Sequence, residues 1–360
     1  MSSNIFKGNP KLWHLNACVG NNGWTGISTY LEGYQAATIA MLESILHRTQ
    51  LKSSDSIFWT YDTAIYPIIF TARHSFELFL KSEISNINLL KKNIPPIKNQ
   101  LTITHNIWKL WLFFKEQISL LRDYRLNYII PILENTIEEY NRIDPNGEVF
   151  RYPYSNQGNK HLEEHSVINI YEIYENYIKF TNDINDFQLL TEYLYKEYEV
   201  GTYTDKLSRN DLEFISKILP LKVKWRENQF ITIKNYIKNK YSLSNNELSR
   251  AIKKIENHYE FSLKIIKNNY LININKNILV DYCNGNFTFN NLKKLSANDL
   301  VVLKSLVDCC YIFPFFSEWI DIFINKNKQI NIMHEINYIH KNYSKVKKLI
   351  IDQLNYGFIF

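Results

Sequence analysis

A chain of 360 residues with 45% hydrophobic content is long enough for two packed domains and too apolar to be a disordered tail. Only 10 Gly and 9 Pro stand against 25 Tyr, 21 Phe and 7 Trp, so few breaks are forced, much aromatic surface needs burial, and an all-α fold is expected. The net charge of +6 permits contact with nucleic acid, but the lysines read as scattered through an Asn-, Ile- and Tyr-rich chain and point to no specific groove.

Residues 1–29 read as an irregular lead, with Gly20 and Gly23 suited to backbone of positive φ. The start Met1-Ser2-Ser3-Asn4 lacks a charged residue followed by an apolar signal core, and no apolar run reaches roughly 18 residues, so neither secretion nor a membrane span is expected. The four cysteines, Cys18, Cys283, Cys309 and Cys310, form no C-x-x-C pair, which fits a reducing cytoplasm.

From Thr29 to His47 the apolar residues Leu31, Tyr34, Ala37, Leu42 and Ile45 recur at helical spacing. A second helix is expected within 57–90, with Pro67 near its start or at a kink, ending before Pro95-Pro96. Thr104 is placed to cap a third helix carrying Ile107, Leu110, Trp111 and Phe114, and a fourth is expected over 124–142. Asp144-Pro145-Asn146-Gly147 is a turn signal that opens a long loop, and periodicity resumes from Val167 to Tyr198.

A domain boundary is expected near 200–207, giving one helical bundle over 30–203 and a second helical domain over 204–360. The second half contains three similar helix starts, at Ser208, Ser244 and Ser296, each preceded by Leu and followed three residues later by Asp211, Glu247 or Asp299. At that spacing the serine hydroxyl accepts from a free backbone N–H while the carboxylate faces the positive end of the helix. Shared capping chemistry explains them without a structural repeat.

Three landmarks follow one another in the first half: Ala72-Arg73-His74-Ser75-Phe76-Glu77-Leu78-Phe79-Leu80-Lys81, Thr104-His105-Asn106-Ile107, and Arg151-Tyr152-Pro153. They resemble the A-x(4)-E-x-x-L-K helix, the T-H-D-L segment and the R-Y-P turn of HEPN domains, with Asn106 where the family usually has Asp. The resemblance covers roughly residues 30–200 and implies a helical bundle, commonly dimeric, that acts on RNA in phage defence or toxin–antitoxin systems. HEPN ribonucleases usually carry Arg-x(4–6)-His and cleave without a metal, assisted by the RNA 2′-hydroxyl. This chain lacks that motif: Arg151 to His161 and Arg250 to His258 are the nearest approaches, both too widely spaced.

Arg73, Glu77 and Lys81 fall at i, i+4 and i+8 and therefore line one helix face, with His74 beside them. Such a row is either an ion-pair ladder or part of a site. Histidine exchanges a proton near neutral pH without a large shift, so His74 and His105 are the candidate acid–base groups, with Arg73 and Arg151 as candidate phosphate-binding or catalytic cations. Glu77, Lys81, Asn106 and Tyr152 are the expected supporting residues, with Glu77 an internal competitor for Arg151.

Other constellations carry less. His161-Leu162-Glu163-Glu164-His165 spells H-x-x-E-H, a zinc-peptidase pattern only if both histidines share a helix face; a charged surface helix start explains it more simply. Trp108 with Trp111, and Tyr171, Tyr174 and Tyr177, read as packing stripes rather than base-stacking platforms. The aromatic run from Ile312 to Trp319 suggests a buried docking surface. Two functions follow: a HEPN-like protein acting on RNA, as a metal-independent ribonuclease needing no cofactor, or a non-catalytic interaction protein whose Arg/His/Glu cluster holds its own core. RNA, a second copy of the chain, and a protein partner or antitoxin are the partners this implies; a membrane is not.

Overall fold

The computed structural model describes residues 6–20, 22, 26–47, 60–90, 104–266, 276–286, 288–309, 315–342 and 347. Their regular structure is helical, with no strand among them beyond an isolated antiparallel bridge between Tyr154 and Lys160. No helix among them is long and apolar enough to cross a membrane. The chain divides into two units, residues 1–195 and 196–360.

In the first unit a short 3₁₀ turn over Pro10–Leu15 precedes α1 (Ile27–Leu46), α2 (Tyr61–Leu90), α3 (Ile107–Leu121), α4 (Ile129–Ile143) and α5 (Ile170–Glu199). The last turn of α5 passes the boundary between the units, ahead of the break expected at 200–207. Gly20 has φ 59°, as its position in the lead predicts, while Gly23 lies outside the described residues. Pro67 sits in the second turn of α2, near its start, and the helix continues through it. The missing N–H falls in the first two turns, where few ladder bonds are lost.

The core of this unit is aromatic. Phe76 of α2 meets Phe180 of α5 edge-on with ring centroids 3.9 Å apart, and Tyr140 of α4 at 4.4 Å. Phe79 of α2 packs on Phe114 of α3 at 6.0 Å, and Phe114 in turn on Phe187 at 5.6 Å and Trp111 at 5.5 Å, so α2 gathers three neighbouring helices. Trp111 and Tyr177 are buried, in keeping with packing stripes, although Tyr171 at the far end of its stripe is exposed. Between α1 and α2 the hydroxyls of Thr38 and Thr71 lie 2.8 Å apart, and each also reaches a carbonyl of its own helix: Thr38 to Tyr34 at 2.7 Å, Thr71 to Pro67 at 2.8 Å.

The second unit contains α6 (Arg209–Ile218), α7 (Asn228–Tyr241), α8 (Asn245–Glu256), α9 (Tyr259–Ile265), α10 (Lys276–Cys283), α11 (Phe289–Leu292), α12 (Ala297–Cys309), α13 (Phe316–Asn327) and α14 (Ile336–Lys341). Ser208 and Ser244 make reciprocal capping boxes with Asp211 and Glu247, and the Ser296 hydroxyl accepts from the Asp299 N–H at 3.2 Å. The preceding leucines Leu207 and Leu243 are buried.

Two apolar clusters fill this unit, one built on Leu212, Ile237, Leu248 and Phe261, the other on Leu300, Leu303, Leu306 and Ile320. Arg209 ties them together. From the start of α6 its guanidinium pairs with Glu260 of α9 at 2.6 Å and with Glu318 of α13, while lying over the rings of Phe261 and Phe315. His258 completes the cluster: Nδ1 accepts from the Phe261 N–H at 3.3 Å, so the other nitrogen carries the hydrogen that meets Glu318 at 3.0 Å. Of the aromatic run at 312–319, Ile312 to Pro314 lie outside the described residues; Phe315 is buried against Arg209.

Candidate functional site

The expected ladder on α2 forms, with Glu77 as its hub. Arg73 Nη1 reaches Glu77 Oε2 at 2.6 Å, and Lys81 Nζ reaches Oε1 at 2.8 Å. A third partner comes from the start of α3: His105 Nδ1 lies 2.8 Å from Glu77 Oε1. The carboxylate is 2% exposed and the imidazole 68%, so a buried charge holds one edge of a ring whose other edge faces outward.

The hub titrates low despite being buried. Burial pushes the Glu77 carboxyl up, but the hydrogen bond and charge of Lys81, followed by those of Arg73, outweigh it and hold the group below the usual carboxylate range. An ionised carboxylate only accepts, so Nδ1 of His105 carries a hydrogen and Nε2 is the nitrogen left open.

Arg73 is 1% exposed and serves the protein itself. Its Nε donates to the Asp144 carbonyl at 3.0 Å, and Nη2 donates to the Pro145 carbonyl at 2.8 Å and to that of His105. One planar fork thus binds the turn after α4 to the residues that start α3 and to the hub carboxylate. Of the two readings of the ladder, the guanidinium of Arg73 takes the structural one; it has no surface left to offer a substrate.

The turn is shaped to fit. Gly147 has φ 77°, and a Cβ there would stand 3.3 Å from Arg73 Nη1. Asp144 Oδ1 accepts from the N–H groups of Glu148 at 2.7 Å and Val149 at 3.2 Å, while its buried Oδ2 has no partner among the described residues. Pro145 also accepts from the Ile107 N–H at 3.0 Å. The cap of α3 is Asn106 and not Thr104: its Oδ1 accepts from Lys109 N at 3.0 Å, and its Nδ2 donates to Asn146 Oδ1 at 3.1 Å. An aspartate at 106 would cap equally well but has no hydrogen for Asn146. Thr104 stands one step back, accepting from the Asn106 N–H at 3.2 Å.

His74 and Arg151 share a ring. His74 is half-buried, stacked near-parallel on Phe70 and edge-on to Tyr34 at 4.5 Å. Arg151, bonded through Nε to the Gly147 carbonyl, lies over Phe70 at 5.6 Å and over Tyr152 at 5.4 Å, and is exposed. It does not pair with Glu77, whose oxygens are taken by Arg73, Lys81 and His105. Burial lowers the pKa of His74, Glu77 opposes that, and the charges of Arg73, Lys81 and His105 lower it further. At neutral pH this ring is an uncharged base near a second imidazole.

The H-x-x-E-H segment does not form a helix. Residues 161–164 are turns, Leu162 has φ 58°, and the geometry that would put His161 and His165 one helical turn apart is absent. No group of metal-ligating side chains gathers among the described residues. His334 is exposed, and His340 packs edge-on to Phe289. No protein-family model matches the chain, and no curated protein or solved structure matches it either.

Proposed function

We propose that the first unit is a HEPN-like bundle that acts on RNA, with His105 as its principal acid–base group. The observation that carries this reading is the exposed His105 imidazole, held by the buried Glu77 so that Nε2 faces outward. In a cleavage assisted by the RNA 2′-hydroxyl, a neutral imidazole takes the hydroxyl proton, and a protonated one returns a proton to the leaving oxygen. His74, whose charged form burial disfavours, suits the first role, and the outward edge of His105 is placed for the second. Exposed Arg151 supplies the guanidinium for the phosphate, and Lys81 and Arg73 keep Glu77 ionised. A role as the effector of phage defence or of a toxin–antitoxin pair, and a homodimeric state, follow from the family resemblance alone.

A non-catalytic interaction protein is the second reading. It is favoured by Arg73, whose guanidinium is given over to the protein's own carbonyls and to Glu77. Cleavage of a mixed tRNA and single-stranded RNA pool in EDTA, by wild type and by His105→Ala, separates the two. Products made by wild type and absent with an equally stable variant support the first reading. Equal cleavage by both removes His105 from the site, and no cleavage by either favours the interaction protein.

A further inference from the structure

Positive charge is not spread over this chain in the way its overall composition suggests. Between Lys222 and Tyr241 stand six cations, Lys222, Lys224, Arg226, Lys234, Lys238 and Lys240, against one carboxylate, Glu227. That surplus of five accounts for nearly all of the chain's net +6. We infer that this face of the second unit, the 3₁₀ turn at Lys222–Lys224 with α7, binds single-stranded nucleic acid. RNA is the expected strand if the first unit acts as proposed above, and the inference rests on that reading only for this choice.

Three observations point the same way. First, α7 buries little: only Ile237 is fully inside, while Phe230, Ile233 and Tyr241 are half-buried against the core. The rest of the helix is surface. Second, the cations are poorly matched. Lys222 pairs with Glu256 at 2.6 Å, but the side chains of Lys224 and Arg226 have no hydrogen bond or ion pair among the described residues; Lys234 lies over the Phe230 ring at 5.4 Å, Lys240 over Phe214 at 3.9 Å, and Lys238 donates to Asn245 Oδ1 at 3.1 Å. Third, apolar groups stand between the charges with their faces open: Val223 is 85% exposed, Ile231 56% and Tyr236 51%.

The segment is also held in place. Trp225 stacks on Phe230 with ring centroids 4.8 Å apart and planes 4° from parallel, pinning the turn to the start of α7. Among the described residues a concavity of 740 Å³ opens there, rimmed by Lys222, Lys224 and Arg226 and floored by Leu221, Ile265 and Ile266. Cations along a backbone track, interleaved with apolar faces, suit a strand whose phosphates are accompanied by unpaired bases; a duplex hides those base faces. A membrane surface fits less well. Ile231 and Tyr236 are five residues apart and lie on different sides of α7, so no single apolar face is there to be inserted.

The test is binding of a fluorescent oligouridine of about 20 nucleotides to the full chain across a salt series, comparing wild type with Lys224→Gln/Arg226→Gln/Lys234→Gln. The triple variant is expected to weaken binding at least about tenfold near 100 mM salt and to reduce the slope of log K against log salt by about 2, at roughly 0.7 per lost phosphate contact. Lys224 and Arg226 have no side-chain bonds to lose among the described residues and Lys234 gives up only its place over the Phe230 ring, so the variant's melting curve should lie close to that of wild type. Unchanged affinity and slope in the variant overturn the inference, as does tighter binding to duplex than to single strand, or binding to anionic vesicles with none to RNA. Binding is scored on the Lys224/Arg226/Lys234 comparison and cleavage on His105→Ala, so failure of this face and failure of the cleavage site are read separately.

Discussion

Glu77 and His105 stand 28 residues apart and meet at 2.8 Å, a buried carboxylate gripping an exposed ring. The pairing depends on charge. Glu77→Gln would leave Arg73 buried without its anion, a loss of about 3–5 kcal/mol near pH 7. Because the folded-state pKa of Glu77 lies below its unfolded value, its contribution is present above that unfolded value and fades as pH falls through the folded one. Denaturant titrations at pH 7 and pH 3 should therefore show a gap between variant and wild type that narrows in acid. Equal stability at pH 7 would count against the hub.

Gly147 and Gly33 offer a matched pair of substitutions with opposite signs. At Gly147 an alanine meets both a φ of 77° and Arg73 at 3.3 Å, so Gly147→Ala should cost about 1–3 kcal/mol and disturb the His105 edge of the site. Gly33 lies inside α1 with nothing within 4 Å of a Cβ, and Gly33→Ala should stabilise by about 0.5–1 kcal/mol. Calorimetric melting of the two variants checks both signs.

Glu83 is fully buried on α2. Burial raises its pKa, against which hydrogen bonds from Thr191, Asn86 and Gln188 act, and its Oε2 has no partner. A raised folded-state value means that its share of stability is whole below the unfolded pKa and is lost as pH rises through the folded one. Glu83→Gln removes the ionisation, so the variant should be the more stable at pH 8, with the advantage gone by about pH 4.5. A wild type that is the more stable at pH 8 would contradict the placement of Glu83.

In the second unit, burial raises the Glu318 carboxyl, but the hydrogen bond from His258 and the charge and hydrogen bond of Arg209 bring it down to about 2. The depression corresponds to about 3 kcal/mol, present above the unfolded pKa and lost as pH falls through the folded one. Glu318→Gln should therefore be markedly destabilised at pH 7 and close to wild type at pH 2. Urea unfolding followed by tryptophan fluorescence reads the difference.

Local chemistry was legible where one element contains all of it. The 3.6-residue period places α1 to α5, the Ser208 and Ser244 boxes are complete within four residues, and Arg73, Glu77 and Lys81 are a turn apart on one helix. What the side-chain pattern does not carry is the use of backbone carbonyls as acceptors. The bonds from Arg73 to Asp144, Pro145 and His105 leave no trace in residue identity, so its burial goes unseen. The Arg209 cluster draws partners from 51 and 109 residues away, beyond any spacing rule. H-x-x-E-H misleads for the converse reason, since Leu162 at φ 58° breaks the helix that its spacing presumes. The basic stretch from Lys222 to Lys240 was in plain view, and averaging charge over the whole chain conceals it.

Thr38 and Thr71 share a small number of hydrogens. Two hydroxyls have two protons between them, while four contacts, to Tyr34, to Pro67, to Ile68 and to each other, call for a donor. The pair can therefore switch which oxygen gives and which receives without moving a heavy atom, so the contact is adaptable in direction but fixed in place. Apolar side chains find similar neighbours at several positions along a helix, whereas a hydroxyl pair meets at only one register. Shifting α1 along α2 by a single turn would break the contact between Thr38 and Thr71 while leaving each hydroxyl its own helix carbonyl. The pair marks the same register at which Tyr34 meets His74 edge-on.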